Sequence, residues 1–198
     1  MKNYFLNVIQ TCESTNDEII KLGKEGAEEG ISILSFNQTN GRGRKNKSWI
    51  STEGNIFLST LLKPKVNKKL WSQMSLISAL SVIESLIDIG INEKDLKIKW
   101  PNDILLNFKK VSGILIESID NFLVVGIGLN VNSHPKKHTD YETIDLSSKI
   151  KSLSNSGLEE IANLILKNVY FNYYKWEQYL LEPFFKRINN NLAFKNKS

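Results

Sequence analysis

The strongest constraint on the fold is a succession of short β-rich runs between residues 96 and 132. These runs read LKIKWP, DILLNFKKVSGILIES and FLVVGIGLNVN. A turn is predicted at residues 107–110, where polar residues interrupt the second run. Earlier runs at residues 5–9 and 30–38, and another that begins at Gly54, have the same β character. The sequence therefore predicts a sheet of short strands with a hairpin near its centre.

Helical periodicity separates and follows these strands. Apolar residues recur every three or four positions over residues 67–89, and Gly90 is placed to end that helix. A second long helix is predicted from Leu158, and it is continued or followed by an aromatic-rich helix that ends at Pro183. A short early helix has Ser14 or Thr15 as its N-cap, with acidic residues three positions on to complete a capping box. The pattern predicts an α+β domain: a central mixed, largely antiparallel sheet flanked by helices.

Composition limits the class of protein. The chain has 198 residues, of which 41% are hydrophobic and 24% charged, as is ordinary for a soluble globular protein. Cys12 is the single cysteine, so no intramolecular disulfide can form. The sequence shows no signal-peptide pattern, and no run approaches the ~20 apolar residues of a membrane span. We therefore expect a cytoplasmic protein that does not associate with a membrane.

The loop QTNGRGRKNKSW, residues 38–49, concentrates unusual residues. The net charge of +5 is spread mostly over solvated faces, since the chain is rich in lysine throughout. Only three of its 26 basic residues are arginine, however, and Arg42 and Arg44 are two of them. A planar guanidinium binds phosphate or carboxylate through two donors, and glycines let the backbone approach an anion. The loop is therefore interpreted as an anion cradle, with a flexible solvated loop as the alternative.

Three further motifs place polar groups beside predicted strands. In KWPNDILL, Asn102 and Asp103 adjoin isoleucine and leucine, where they need partners or form a simple Asx turn. In KKVSGILIE, Lys110 stands at the start of a strand, where it can reach a cleft or serve as an ordinary turn residue. In VVGIGLNVN, Gly126 and Gly128 thin a strand so that something can lie against it, unless they mark a bulge. Alone, each motif is compatible with a purely structural role.

Together, ESTN, QTNGRGRKNKSW, KWPND, KVSGILIE and VVGIGLNVN resemble the biotin–protein ligases in order and approximate spacing, over about residues 13–132. The resemblance implies the catalytic domain of that family, with a fold similar to class II aminoacyl-tRNA synthetases. It also implies that ATP activates biotin as biotinyl-5′-adenylate, and that the biotin passes to one lysine of a biotin carboxyl carrier domain. Cations are needed there, because the biotin carboxylate and the α-phosphate are both anionic.

The resemblance also assigns roles to residues of this chain. Lys110 is implied to bridge the biotin carboxylate and the α-phosphate, Arg44 to bind phosphate, and Asp103 to orient Lys110 or help hold Mg²⁺. Trp49 is implied to stack on adenine and Asn130 to read its edge. The residues implied to bind biotin are Ser14, Thr15, Asn16, Gln38, Gly41, Arg42, Lys110 and Gly113. Those implied to bind ATP or the adenylate are Arg44, Lys47, Trp49, Asn102 and Asn130.

The chain also departs from the family pattern. Lys47 stands where relatives often have arginine, and Arg42 and Lys47 are implied to be only supporting cations. Residues 1–185 are expected to form the catalytic domain. Residues 186–198 are expected to be a polar tail that frays, or a stub of the C-terminal β-domain that relatives usually carry. No N-terminal helix-turn-helix precedes the first strand, so no DNA binding is expected. The oligomeric state stays open, with a homodimer as one alternative.

Three other functions are alternatives to the biotin ligase. One is a lipoate or octanoate ligase or transferase of the same fold, which needs a long apolar tunnel. Another is a basic nucleic-acid-binding module, which needs aromatic residues interleaved with cations on an exposed sheet. A third is a degenerate, inactive ligase. The GRGR and KWPND motifs together favour the biotin ligase.

Overall fold

The computed structural model describes residues 4–136 and 142–194, which fold around a seven-stranded sheet. Its strands are β1 (Phe5–Cys12), β2 (Ile31–Gln38), β3 (Ile56–Leu62), β4 (Leu96–Lys99), β5 (Asp103–Leu106), β6 (Lys109–Ile119) and β7 (Phe122–Leu129). Across the sheet they lie in the order β1-β2-β3-β7-β6-β5-β4. β1 and β2 are parallel, and the other neighbouring pairs of this sheet are antiparallel. The prediction of a mixed, largely antiparallel sheet is confirmed.

Helices cover both faces of the sheet. They are α1 (Thr15–Lys24), α2 (Met74–Asp88), α3 (Asn155–Tyr179) and α4 (Phe185–Asn191). α1 connects the two parallel strands and packs over β2, β3 and β7 on one face. α2 and α3 pack against each other on the opposite face, where the larger hydrophobic core lies. β3 is buried along its whole length because both of its faces are covered. The predicted α+β class is thus confirmed.

Two helix ends show where local sequence signals suffice and where they fail. Gly90 has a φ of 95°, and the N–H of Ile91 donates to the carbonyl of Leu86 at 2.9 Å, so α2 ends as predicted. The predicted capping box at α1 is wrong, because Ser14 is the N-cap residue but its side chain makes no capping hydrogen bond. Gln38 from β2 supplies the acceptor for this turn instead.

The predicted helix over residues 67–89 divides into a 3₁₀ segment, Lys68–Gln73, and α2. Contrary to the sequence expectation, Lys68–Asp88 is long and apolar enough by length and composition to cross a membrane. However, 61% of its most apolar window is buried inside the protein, as is usual for a core helix. The prediction that Pro183 ends the second long helix is also wrong, because α3 already stops where Leu180 adopts a φ of 54°.

The segment after Arg187 is more ordered than predicted. α4 continues through it, and Ile188 is buried with only 7% of its surface exposed. The N–H of Ala193 donates to the carbonyl of Ile98 at 2.8 Å, which ties the segment to β4. The expected fraying is therefore wrong up to residue 194, whereas residues 195–198 lie outside the described part of the chain. The division into a catalytic domain and a tail stays a prediction.

Candidate active site

The predicted motifs meet at one cavity of about 580 Å³, a size typical of small-molecule sites. The N-terminus of α1, the basic loop after β2, the turn between β4 and β5, and the sheet itself form its walls. Of the predicted site residues, those that line it are Ser14, Thr15, Asn16, Gln38, Arg42, Arg44, Lys47, Trp49, Asn102, Asp103, Lys110, Gly113 and Asn130. Gly41 does not line it; its carbonyl accepts the N–H of Trp49 at 2.9 Å and so shapes the loop.

Lys110 and Asp103 form the charged centre of the cavity. Nζ of Lys110 lies 2.8 Å from Oδ1 of Asp103, as a charge pair without hydrogen-bond alignment. The same ammonium lies 5.2 Å from the centroid of the Trp49 ring, within the range of a cation–π interaction. The β5–β6 hairpin sets this geometry, because Asn107 and Phe108 at its turn have φ values of 50° and 62°. The predicted turn is therefore confirmed.

The segment that follows β7 fixes the backbone of Lys110. The N–H of Lys110 donates to the carbonyl of Glu142, and the N–H of Ile144 donates to the carbonyl of Lys110, both at 2.9 Å. Pro135 and Thr143 from the same segment line the cavity. Residues 137–141 of this loop lie outside the described part of the chain. Pro135 and Thr143, on either side of that gap, therefore form part of the cavity wall next to Lys110.

Gly126 and Gly128 have no Cβ, and this leaves space on the sheet for side chains of the protein itself. A Cβ built on Gly126 would lie 2.1 Å from Oδ1 of Asn16, and one on Gly128 would lie 2.5 Å from the Trp49 ring. Both glycines keep regular register with β3 and β6, so neither marks a bulge. The prediction that something lies against this strand is confirmed. The sequence could not show that the occupants are Asn16 and Trp49.

A hydrogen-bond network joins α1 to β2 and β3 at one end of the cavity. Oε1 of Gln38 accepts the N–H of Thr15 at 2.8 Å and lies 3.2 Å from the Thr15 hydroxyl. The Ser59 hydroxyl lies 2.7 Å from Oγ1 of Thr15 and 2.6 Å from Oδ1 of Asn16. Ser59 is fully buried on β3. Sequence reasoning missed Ser59, whose only signal is a hydroxyl within a largely apolar strand.

Arg42 is held by two carboxylates. Its guanidinium donates to Asp17 at 2.6 and 3.1 Å, and to Glu117 at 2.7 and 2.8 Å. Glu117, which sequence reasoning also missed, accepts a further bond from Nδ2 of Asn16 at 2.7 Å. The hydrogen bond to Glu117 raises the pKa of Arg42 above its ordinary value. Arg42 thus ties the basic loop to α1 and β6, whereas the resemblance implied a supporting cation for the ligand.

Arg44 lies at the exposed mouth of the cavity. The adjoining Lys45 and Asn46 adopt φ values of 55° and 59°, in the left-handed region that non-glycine residues rarely occupy. Nη1 of Arg44 donates to Oδ1 of Asn102 at 3.3 Å, and Nδ2 of Asn102 donates to the carbonyl of Ile114 at 2.8 Å. The tip of the basic loop therefore reaches the KWPND motif across the cavity.

Trp49 and Asn130 each bury a polar atom that has no hydrogen-bond partner among the described residues. These atoms are Nε1 of Trp49 and Oδ1 of Asn130. Nδ2 of Asn130 donates to the carbonyl of Ile144 at 3.1 Å, which leaves Oδ1 as an acceptor. Buried polar groups without partners are costly unless a ligand or water meets them. Asn130 can therefore read a donor on a molecule in the cavity.

The electrostatics of the cavity favour an anionic ligand. Its described lining has one carboxylate, Asp103, and six cationic side chains: Arg42, Arg44, Lys45, Lys47, Lys99 and Lys110. Among residues 4–136 and 142–194, no group of three His, Cys, Asp or Glu side chains could hold a metal ion. Asp103 lies against Lys110, so its predicted contact with Mg²⁺ stays a prediction. Several cations can therefore act together on one phosphate chain.

Comparisons with known proteins agree with this geometry. The sequence profile of the biotin/lipoate A/B protein ligase family matches residues 8–132. The bifunctional ligase/repressor BirA of Bacillus subtilis is 35% identical over 154 residues, which are 75% of this chain and 46% of that protein. The biotin–[acetyl-CoA-carboxylase] ligase of Mycobacterium tuberculosis is 34% identical over 67% of this chain and 51% of its own length. The chain thus spans about half the length of these relatives.

A solved structure extends the similarity to nearly the whole chain. Biotin protein ligase from Aquifex aeolicus, in complex with biotin and ATP, superposes with a TM-score of 0.82 at 30% identity. The match covers 98% of this chain and 80% of that one. The family profile by itself matches more than half of the sequence and includes the basic loop, the KWPND motif and both strand glycines. The chain belongs to the biotin/lipoate A/B protein ligase family.

Proposed function

We propose that this chain activates biotin with ATP and transfers it to a lysine of a biotin carboxyl carrier domain. The observation that carries the proposal is that Arg44 and Lys110 line the same cavity, although they come from a loop and a distant hairpin. Cations that converge in this way let two anionic reactants approach each other. The Aquifex aeolicus ligase, which is similar over nearly the whole chain, binds biotin and ATP.

In the first step the biotin carboxylate attacks the α-phosphate, and diphosphate leaves with the displaced electron pair. Lys110 bridges the two reacting groups, and its ammonium stabilises the charge that builds up on the phosphate oxygens. Asp103, 2.8 Å from that ammonium, orients the lysine before the reactants arrive. Arg44 binds phosphate at the mouth of the cavity, where diphosphate can leave.

In the second step the amine of the acceptor lysine attacks the acyl carbonyl of the adenylate. An amide bond forms, the amine loses a proton, and AMP leaves with the electrons of the cleaved acyl–oxygen bond. The acyl-adenylate is prone to hydrolysis, so a loop closed over it would exclude water. The basic loop is suited to this, since Arg42 anchors its base while Arg44 stays exposed.

Ser14, Thr15 and Gln38 form an uncharged polar slot for the ureido ring. The Ser59 hydroxyl donates to Oγ1 of Thr15, and the Thr15 hydroxyl donates to Oε1 of Gln38. Nε2 of Gln38 carries two protons and donates one to the Ser51 hydroxyl at 3.4 Å, so the other can bind an acceptor on a ligand. A site that hydrogen-bonds a neutral group rejects analogues that lack it, because its own polar groups would be left unpaired.

The nucleotide base is assigned to Trp49 and Asn130. The free acceptor Oδ1 of Asn130 suits the exocyclic amino group of adenine. The Trp49 ring already packs over Gly113 and Gly128 on one side, so stacking on adenine would use its other side. Mg²⁺, if required, would be held mainly by the phosphates, with Asp103 the one carboxylate near them in the described lining.

The cavity favours biotin over the alternatives. A lipoyl or octanoyl chain would leave the polar slot at the start of α1 unpaired, and a competition assay with biotin and lipoate would separate these substrates. A nucleic-acid module would present its cations on an open surface, whereas here they line a cavity. The carrier would be the domain of a biotin-dependent carboxylase, as the name of the Mycobacterium tuberculosis relative suggests. We also infer a cytoplasmic enzyme.

The decisive test is ATP-dependent labelling of a purified biotin carboxyl carrier domain by the purified chain. We expect biotin on one carrier lysine, with AMP and diphosphate formed in equal amounts. Lipoate in place of biotin should give little product. Absence of both biotinyl-adenylate and labelled carrier, with biotin and ATP at saturating concentration, would refute the proposed function and favour an inactive ligase.

A further inference from the structure

A second groove adjoins the active-site cavity. It has a volume of about 520 Å³ and lies between the 3₁₀ segment Lys68–Gln73, the start of α2 and the face of β6 that carries Ile114 and Ile116. Arg44, Trp100, Pro101 and Ile114 line both the groove and the cavity. The groove is thus continuous with the cavity mouth, but it lies outside the polar slot at the start of α1.

The groove is positively charged and keeps its cations accessible. Arg44, Lys68 and Lys69 line it, and its described lining includes no carboxylate. Nζ of Lys68 donates to the backbone carbonyl of Asp120 at 2.8 Å and lies 5.5 Å from the centroid of the Trp71 ring. These contacts hold the ammonium in place without neutralising its charge. Lys69 is exposed. The groove therefore complements a segment with carboxylates.

Trp100 gives the same mouth an apolar anchor. It is 71% exposed, the largest exposure among the large hydrophobic side chains of the described residues. Exposed tryptophans beside a site for a large substrate are typical contact residues of protein interfaces, because they bury much surface with little loss of conformational entropy. A small substrate enclosed in the cavity would not need this ring, whereas a protein that must bring a lysine to the mouth would.

We propose that this groove docks the acceptor protein through an acidic segment beside its acceptor lysine. The carboxylates lie along Lys68 and Lys69, an apolar side chain packs on Trp100, and the lysine enters the cavity past Arg44. This inference rests on the proposed function, since it supplies the docking site for the second step. It assigns Lys68 and Lys69, which line the groove but not the cavity, to acceptor recognition separate from adenylate formation. Trp100, which lines both, is assigned to holding the acceptor at the mouth.

Charge reversal of Lys69 tests the docking surface. In Lys69→Glu, kcat/KM for the carrier domain should fall about tenfold at low ionic strength, and the deficit should shrink near 1 M salt, where the Debye length is about 3 Å. Adenylate formation, measured as diphosphate release without carrier, should stay at the level of the unmodified chain. Lys186→Glu makes the same charge change at an exposed position on α4, away from the groove, and should leave both steps unaffected.

Two further measurements separate docking of the carrier domain from the chemical steps. Transfer of biotin to hydroxylamine, which needs no docking, should be unaffected in Lys69→Glu. Calorimetric titration with the carrier domain should show weaker binding to Lys69→Glu than to the unmodified chain, whether or not turnover occurs. Equal affinity and equal kcat/KM would overturn the docking proposal while leaving the ligase function intact. A raised KM for ATP in Lys69→Glu would also overturn it, because the groove would then hold the nucleotide's phosphates.

Discussion

The close approach of Asn16 to Gly126 predicts strong coupling between these two positions. A Cβ on Gly126 would lie 2.1, 2.8 and 3.0 Å from three side-chain atoms of Asn16, so Gly126→Ala must displace that amide. Displacement breaks its bonds to Glu117 and Ser59, at 2.7 and 2.6 Å. The charge-assisted bond is worth about 1.5–3 kcal/mol and the neutral one about 0.5–1.5 kcal/mol. We expect Gly126→Ala to lower the free energy of unfolding by about 2–4 kcal/mol.

A double-mutant cycle separates this mechanism from a general intolerance of the strand. Asn16→Ala removes the same two bonds and should cost a similar amount. It also removes all three of the atoms nearest to the new methyl group, so adding Gly126→Ala to it should cost less than about 1 kcal/mol. The sum of the two single effects should therefore exceed the effect of the double substitution by about 1–4 kcal/mol, measured by urea unfolding.

Asn172→Ala provides the matched control for the cycle. Asn172 is also a buried asparagine, and its Nδ2 donates to a carboxylate, that of Glu84, at 2.7 Å. It lies on α3, on the face of the sheet opposite to Asn16, so its effect should add to that of Gly126→Ala. Additivity of Asn16→Ala and Gly126→Ala within about 0.5 kcal/mol would refute the reasoning.

Three further predictions concern catalysis, the loop and pH. Lys110→Ala should slow adenylate formation by on the order of 10²–10³. Lys109→Ala is the control and should not slow it, because the Lys109 ammonium pairs with a glutamate 3.2 Å away. Equal rates of diphosphate release in the two variants would dismiss the catalytic role of Lys110. Biotin with ATP should protect residues 42–47 from trypsin, and unchanged cleavage would argue against a closing loop. Burial raises the pKa of Tyr170 above its ordinary value of 10.0 and that of Tyr174 to about 12. The stability that these two buried, neutral phenols contribute is therefore complete below pH 10, and it is lost as the pH rises above 10, because the unfolded chain then ionises first. In Tyr170→Phe the fall in unfolding free energy between about pH 9 and about pH 11 should be shallower, and an identical slope would contradict this.

The sequence predicted best those features that depend on adjacent residues. Gly90 ends α2, and the turn at Asn107 joins β5 to β6, because each needs only a backbone conformation and its neighbours. The resemblance to biotin–protein ligases also gave most of the cavity lining, since its motif residues meet at one side of the sheet. Predictions that required a partner distant in sequence were less successful.

Three failures share this physical cause. The capping box at Ser14 does not form because Gln38, from β2, accepts the N–H of Thr15. The tail after Arg187 is ordered because Ile188 is buried in the core, which its polar neighbours do not reveal. Ser59 was missed because a hydroxyl on a buried strand has no local signature of a site. In each case tertiary contact outweighed the local pattern.

The two arginines of the basic loop illustrate why residue type alone could not separate anchoring from binding. Both fit the interpretation that a lysine-rich chain uses arginine where a planar fork matters. Arg42 uses its fork on Asp17 and Glu117, so its charge is already compensated before any ligand arrives. Arg44 contacts a neutral amide at 3.3 Å and remains exposed, so its charge is available to phosphate. A loop that closes over a reactive intermediate needs both a fixed base and a charged tip, and the alternation of glycine and arginine supplies them two residues apart.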